Sequence, residues 1–190
     1  EMTDNYHAPS PSSKIRTAKD KAKSVIIAIS SNSNLFTWED LKNDNKKVME
    51  LNFQNADYYG QVREIQANEE QSNNEDLQFP SLQESPKVIR EGKGVMKYHS
   101  GRIYEGTWLN DMREGEGYER FENGNVYKGS FSKGRAHGNG VYTWSTGEVY
   151  EGEWVKGHKH GRGVWKGKDS KYFIGDWKRS KPHGYGMHIW

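Results

Sequence analysis

Cysteine is absent from the 190 residues of this chain, which excludes disulfide bonds and cysteine-ligated metal centres and fits an intracellular protein. Hydrophobic residues make up only 32% of the sequence. That share is well below the roughly 45–50% of ordinary globular domains, although this reference counts glycine and omits tyrosine. We therefore expect an extended architecture or a disordered portion rather than a single large core.

Long apolar runs and a strong excess of one charge are also lacking. The longest purely apolar run covers residues 25–29, whereas a membrane-spanning helix needs about 20 residues. The net charge is +2, so the chain as a whole has no polyelectrolyte attraction to nucleic acid. We expect a cytoplasmic protein for which nucleic acid is a disfavoured partner.

Glycine and tryptophan, by contrast, are plentiful and concentrated in the second half of the chain. Twenty of the 21 glycines and six of the seven tryptophans lie between residues 92 and 190. Three short motifs return there with a period of 23 residues, which defines a repeat array. The first is Glu/His-Gly-x-Gly, beginning at Glu91, Glu114, His137, His160 and His183. The second has the copies Tyr104-Glu-Gly-Thr-Trp108, Tyr127-Lys-Gly-Ser-Phe131, Tyr150-Glu-Gly-Glu-Trp154 and Phe173-Ile-Gly-Asp-Trp177. The third is a turn glycine at Gly101, Gly124 and Gly147, with Ser170 in the fourth copy.

Each 23-residue unit reads as a β-hairpin. Tyr104, Gly106 and Trp108 alternate along a strand and therefore share one face of it. The following segment, 117–121, predicts the return strand, and Asn123-Gly124 predicts a two-residue type I′ turn after it. Successive hairpins then add sideways by roughly 10 Å per repeat, because neighbouring strands lie about 4.8 Å apart. The pattern predicts a mainly β protein with one elongated antiparallel meander.

The combination of Tyr-x-Gly-x-Trp, His-Gly-x-Gly and a turn glycine at this period resembles the MORN repeat (membrane occupation and recognition nexus). The resemblance covers residues 88–190 with four to five repeats, and the pattern is still running at Trp190, so we expect a piece of a longer protein. It departs from the family pattern at Ser170 and at Gly167, which make the fourth turn the weakest prediction. The resemblance implies a non-catalytic scaffold that binds a partner protein in an aromatic groove. The predicted groove residues are Tyr104, Trp108, Tyr127, Phe131, Tyr150, Trp154, Phe173 and Trp177.

The resemblance also implies a setting and two alternatives. Proteins with such arrays are often cytoskeletal, and long arrays occur in ciliary assemblies such as the radial spokes of the axoneme. The alternatives are a module that tethers the protein to phosphoinositide membranes, and the regulatory part of a lipid kinase or methyltransferase. A homodimer is also left open.

The first ninety residues divide into an extension, 1–54, and a segment, 55–87, before the array. We expect the extension to be partly disordered, with one or two short helices. Thr37 is a candidate N-cap, and Leu41, Val48 and Leu51 have helical spacing, so a helix is predicted near 38–51. Residues 55–62 resemble a divergent repeat followed by an acidic polar insertion, with an accidental match as the alternative.

The basic segment 14–23, together with the apolar run that follows it, has two interpretations. It can be a basic amphipathic helix for a membrane or a partner. It can also be a short helix or strand packed on a neighbouring part of the chain, and we favour this second interpretation.

The histidines of the His-Gly motif do not predict a metal site. Histidines one repeat apart should lie roughly 10 Å from each other, whereas ligands of one ion must all lie within about 2 Å of it. Glutamate also occupies this position in two of the five copies. We expect a structural role for the motif, and no metal, cofactor or catalytic residue is predicted.

Basic residues are in excess near the end of the chain, interleaved with tryptophan. Such a mixture can bind anionic lipid headgroups or acidic protein segments, and it can also keep a flat sheet soluble. The candidate lipid patch consists of Lys156, Lys159, Arg162, Lys166, Lys168, Lys171, Lys178, Arg179 and Lys181.

Overall fold

The computed structural model describes residues 18–33, 35–65 and 87–190. Within these ranges, the chain forms one open antiparallel sheet of eleven strands whose order in the sheet is their order in the sequence. The expectation of a mainly β, single-sheet meander is confirmed. Ten strand spacings make the sheet roughly 48 Å across. No helix in the described ranges is long and apolar enough to cross a membrane.

The elements have the following bounds. Two helices come first, α1 (Ala18–Ser33) and α2 (Trp38–Asn43). The strands are β1 (Lys47–Asn52), β2 (Ala56–Ile65), β3 (Lys87–Tyr98), β4 (Ile103–Leu109), β5 (Met112–Arg120), β6 (Val126–Ser132), β7 (Arg135–Thr143), β8 (Val149–Val155), β9 (His158–Lys166), β10 (Tyr172–Lys178) and β11 (Lys181–Ile189).

A row of glycines crosses the sheet and determines how its side chains pack. From β2 to β11 every strand places one glycine opposite the glycine of its neighbour, as in the pair Gly152 and Gly163. The tyrosine of each repeat, or Phe173 in the last one, lies across this glycine row. A Cβ atom on Gly163 would lie only 2.6 Å from Cε2 and Cζ of Tyr150, so no larger residue fits there. The tyrosine hydroxyl then donates a hydrogen bond to the backbone three residues on, as Tyr150 does to the Glu153 carbonyl at 3.0 Å.

Two kinds of connection alternate along the chain, and each kind lies at one end of the strands. Tight two-residue turns occupy one edge, which we call the turn edge; both turn residues have positive φ, for example 50° at Lys156 and 85° at Gly157. That is the type I′ geometry, which matches the twist of a hairpin. Longer loops occupy the opposite edge, which we call the loop edge.

The type I′ turn predicted at Asn123-Gly124 is wrong, because this dipeptide belongs to a longer loop. Phe121 donates to the Asn125 carbonyl at 2.9 Å and closes a three-residue connection in which only Gly124 has positive φ. The fourth loop forms the same closing bond although Ser170 replaces the glycine, and Ser170 itself adopts a φ of 63°.

The predicted helix over 38–51 is wrong beyond residue 43. Thr37 does cap α2, and the Thr37 backbone N–H donates a hydrogen bond to the Asp40 carboxylate at 2.6 Å. These hydrogen bonds lower the pKa of Asp40. After α2 the chain turns at Asn45, which has a φ of 53°, and enters β1. Pairing with β2 supplies the backbone hydrogen bonds of residues 47–52 and overrides their helical spacing.

The segment before the array adopts the geometry of a repeat strand. Tyr58 is fully buried and donates to the Gln61 carbonyl at 2.7 Å, the same contact that the later tyrosines make. Gly60 lies opposite Gly94 in the glycine row, and Val62 is buried where the repeats carry tryptophan. The proposed polar insertion, 66–86, and the first residues of the basic segment, 14–17, lie outside the described residues.

Helix α1 packs on one face of the sheet, which we call the helical face. Ile26 is fully buried in a cluster with Tyr59 and Val95. Ser33 at the end of α1 hydrogen-bonds the buried carboxylate of Glu105, and Lys128 donates to the Ser33 carbonyl at 3.1 Å. These contacts favour the packed-helix interpretation of the apolar run.

Candidate functional site

The eight residues predicted to line a groove form instead the buried core of the face opposite α1, which we call the aromatic face. Tyr104 and Tyr150 are fully buried, and the most exposed of the eight, Trp154, is only 7% exposed. Each ring meets the next edge to face, with centroids 5.1 Å apart between Tyr127 and Trp154. We call this arrangement the ring row; its members are Tyr104, Trp108, Tyr127, Phe131, Tyr150, Trp154, Phe173 and Trp177.

The prediction that a partner contacts these eight rings therefore needs correction. In the described part of the chain no second layer covers the aromatic face, so the rings cover one another and the glycine row beneath them. Edge-to-face pairs add about 0.5–1.5 kcal/mol each beyond burial. The ring row stabilises the array, and side chains outside it form the exposed surface of this face.

Cationic side chains extend over the ring row at a regular position. Arg90 lies 4.4 Å from the Trp108 ring centre, Arg113 lies 5.3 Å from that of Tyr104, and Lys159 lies 4.4 Å from that of Trp177. Such contacts contribute about 0.5–2 kcal/mol each. Residues 90, 113 and 159 follow the 23-residue period. At the same period Ala136 lies between Arg113 and Lys159, and Pro182 in β11 follows Lys159. We call positions 90, 113, 136 and 159 the cation row.

Partly exposed rings flank the ring row and are the accessible aromatic side chains that pack against it. They lie on the aromatic face towards the loop edge, packed against the ring row. We call them the rim rings; they are Tyr98, Phe121, Tyr142, Trp144 and Trp165. Their signal in the sequence was an aromatic residue three positions before the turn glycine, at Tyr98, Phe121 and Trp144, or five positions before the turn residue, at Tyr142 and Trp165. Whether such a ring is buried or exposed could not be read from this spacing.

Burial raises the pKa of the ring-row tyrosines. Desolvation raises the pKa of Tyr150 to about 12. It also raises the pKa of Tyr104 and Tyr127, and of Tyr58 in β2. A group with a higher pKa in the folded state stabilises that state below its unfolded pKa, near 10, and this contribution is lost as the pH rises towards the folded pKa.

We therefore expect the temperature of thermal unfolding to fall between about pH 10 and pH 12. Burial lowers the pKa of Lys159, and this shift makes stability rise with pH. One such group does not outweigh the four tyrosines. Melting curves recorded by circular dichroism across this range measure the effect. The variant Tyr150→Phe lacks one of the four groups and should show a shallower fall. A melting temperature that rises through this range would contradict the expectation.

The structure does not bring the nine residues of the predicted lipid patch together. Four of them lie at the turn edge and three at the loop edge, about 25 Å away along strand β9. Lys159 is half-buried over Trp177 and is not a surface cation, which corrects its assignment. Arg162 lies on the opposite side of the strand and pairs with Asp176 at 3.3 Å. The turn-edge group is Lys156, Lys178, Arg179 and Lys181, and the loop-edge group is Lys166, Lys168 and Lys171.

The repeated histidines lie on separate strands. Residues 139 and 160 both lie opposite Glu153, so their strands are two spacings, or roughly 10 Å, apart. In the part of the chain that the structure describes, no group of three His, Cys, Asp or Glu side chains could hold a metal ion.

The glycine row, the ring row and the alternating turns define a protein built from β-hairpin repeats in a single sheet. The chain belongs to the MORN-repeat family: the family model for the MORN repeat matches residues 89–101, 104–126, 127–149, 150–171 and 173–190. The resemblance found in the sequence is thereby confirmed. No curated protein matches the chain at a significant level. Membership of the family indicates a repeat scaffold for protein or membrane binding, and MORN repeats are generally non-catalytic.

Proposed function

We propose that this protein is a non-catalytic scaffold that holds a partner protein against its aromatic face. The observation that carries the proposal is the asymmetry of the sheet. Helices of the same chain cover part of the helical face, whereas the rim rings on the aromatic face remain half-exposed. Aromatic side chains provide a large contact area at a small cost in side-chain entropy, which makes them effective anchors.

The rigid sheet beneath the rim rings supports this role. The ring row and the glycine row hold each rim ring at a set position along the array. A partner segment lying along the aromatic face would then meet aromatic anchors repeated about every 10 Å. In keeping with the family, we propose a cytoplasmic setting in a cytoskeletal or ciliary assembly, such as one of the axoneme.

The test compares two double variants, each of which replaces two apolar side chains with serine. Phe121→Ser/Trp144→Ser removes two rim rings, and Val164→Ser/Ile174→Ser removes two exposed apolar side chains from the opposite side of the sheet. Proximity labelling in cells, quantified by mass spectrometry, measures which neighbours each variant keeps. We expect the labelling of neighbouring proteins by the rim variant to be about tenfold lower than by wild type.

The control variant should keep the same neighbours as wild type. Both variants are first compared with wild type by circular dichroism and melting temperature, so that loss of the fold is not read as loss of binding. Equal labelling by the rim variant and wild type would contradict the proposal.

The turn edge favours membrane tethering as a second candidate. Its cations extend beyond the predicted patch to Lys133, and all of them are exposed. Each cation near an anionic bilayer contributes about 1 kcal/mol. Sedimentation with phosphoinositide vesicles at low and high salt tests this candidate, and no binding at low salt would exclude it. Regulation of a lipid kinase or methyltransferase stays a hypothesis.

A further inference from the structure

The cation row has a gap at Ala136. The backbone there is equivalent to its neighbours: the Ala136 carbonyl accepts from Gly157 at 2.8 Å, as the Arg113 carbonyl accepts from Gly134 at 2.9 Å and the Lys159 carbonyl from Ser180 at 2.9 Å. Only the side chain differs. Where Arg90, Arg113 and Lys159 extend a long cation over the ring row, Ala136 leaves the space above Tyr127 and Trp154 open.

A depression of about 250 Å³ occupies this space. Its floor is Ala136 with the ring row, and its wall towards the loop edge is formed by two rim rings, Phe121 and Tyr142. A cavity of about 150 Å³ already takes a benzene ring. The depression is therefore large enough for one apolar side chain of a partner.

The charges around the depression select the chemistry of that partner. Its lining contains four cations and a single acid, the buried Glu119. Glu119 is already engaged by Arg102 and by Arg113, the latter at 2.7 Å. Arg135 and Lys156 at the turn edge are exposed, and within the described residues neither forms a salt bridge.

A second depression next to the first shares these two cations and extends the positive surface. It has a volume of about 410 Å³ and is lined by Lys133, His137 and Ser132 together with Arg135 and Lys156. Because like charges repel, a cationic side chain is a poor occupant of the neighbouring apolar space. An apolar residue followed by acidic residues matches both depressions.

We propose that the depression at Ala136 docks an acidic partner segment through one apolar side chain, with the acidic residues of that segment against Arg135 and Lys156. The proposal rests on the scaffold function above and assigns it a site and a partner chemistry. Of the repeat tyrosines Tyr104, Tyr127 and Tyr150, only Tyr127 has no cation over its ring among the described residues.

A defined peptide tests the site. The probe is a short fluorescent peptide with a central phenylalanine flanked by glutamates, and binding is measured by fluorescence anisotropy. Two comparison peptides carry lysine in place of the glutamates, or serine in place of the phenylalanine. We expect the glutamate–phenylalanine peptide to bind at least about tenfold more tightly than either, with an affinity that falls as salt is added.

Variants of the protein locate the binding. Ala136→Arg installs the side chain that Arg113 carries one repeat earlier and fills the depression, so it should keep the fold and bind the probe at least about tenfold more weakly. Ala136→Ser keeps the space open and should bind as wild type does. Lys156→Glu should weaken binding, whereas Arg179→Glu makes the same charge change at the equivalent turn residue one repeat later and should not.

Three outcomes would overturn the proposal. One is a probe affinity unchanged in Ala136→Arg, and another is tighter binding of the lysine peptide. The third is that Ala136→Arg weakens the binding of phosphoinositide vesicles but not of the peptide, which would make a membrane the occupant. If the rim variant loses its cellular neighbours while Ala136→Arg keeps them, the scaffold function stands and this site fails. If the rim variant keeps all its cellular neighbours but the peptide binds at Ala136, the peptide site stands and the proposed scaffold function fails.

Discussion

Replacing Gly163 with alanine should destabilise the array by about 3 kcal/mol or more, because overpacking a close-packed site forces side chains and backbone apart. The new Cβ atom would lie within 2.6 Å of the Tyr150 ring. That ring cannot move away, since Trp154 and Trp177 pack edge to face against it at 5.4 and 5.1 Å. The loss is a large part of the roughly 5–15 kcal/mol that stabilises a typical domain.

Urea unfolding followed by tryptophan fluorescence measures this loss. Gly157→Asn is the matched control, because nothing lies within 4 Å of a Cβ atom there and asparagine tolerates the φ of 85°. We expect the control to cost less than about 1 kcal/mol. If both variants had the same stability, the close packing of rings on the glycine row would not be what holds the sheet together.

Truncating Tyr127 to alanine should cost about 4 kcal/mol, the range for removing a large buried aromatic side chain. Tyr127 is 2% exposed and contacts Phe131 and Trp154 edge to face. Tyr127→Phe keeps the ring and loses only the hydroxyl's hydrogen bond to the Ser130 carbonyl, so it should cost about 1 kcal/mol.

Hydrogen exchange distinguishes a local from a global effect. In an array each repeat is stabilised by its neighbours, so Tyr127→Ala should increase exchange most in β5 to β8 and less in β10. Tyr185→Ala is the control, because this tyrosine is 89% exposed and its loss should change stability by less than about 0.5 kcal/mol. Equal stability of the Tyr127 and Tyr185 alanine variants would contradict the burial of Tyr127 in the ring row.

This second result matters for how binding is tested. An alanine substitution at a ring-row position disturbs the packing that positions the rim rings, so a loss of binding in such a variant does not show that the substituted ring contacts the partner. Substitutions at Phe121, Trp144 and Ala136 change the surface while leaving the ring row in place. They are therefore the informative positions for the scaffold proposal.

Much of the fold could be predicted from periodicity. The motifs at Tyr104, Tyr127 and Tyr150 place a strand every 23 residues, and short connections allow only neighbouring antiparallel strands. The strand at residues 47–52 could not be predicted in the same way. Leu41, Val48 and Leu51 have helical spacing, and only the partner strand β2 decides against it.

The candidate site was predicted less well than the fold. Spacing shows that Tyr104 and Trp108 share a face, but it does not show whether another layer leaves them open as a groove or whether neighbouring rings bury them. The nine patch residues are close in sequence, yet the hairpins send Lys156 and Lys168 to opposite edges. The gap is visible in the sequence, because Ala136 interrupts the series Arg90, Arg113 and Lys159. Its meaning depends on knowing that these cations cover rings.

The sequence by itself determined the repeat, its strands and the family, because glycine and aromatic residues at a fixed period allow only one close packing of hairpin on hairpin. The tertiary structure alone decided which aromatic residues are core and which are surface. That distinction depends on contacts between side chains of different repeats and on the cations above them, and these arise only when the hairpins lie side by side. The same contacts leave the space at Ala136 open and turn a missing side chain into a candidate binding site.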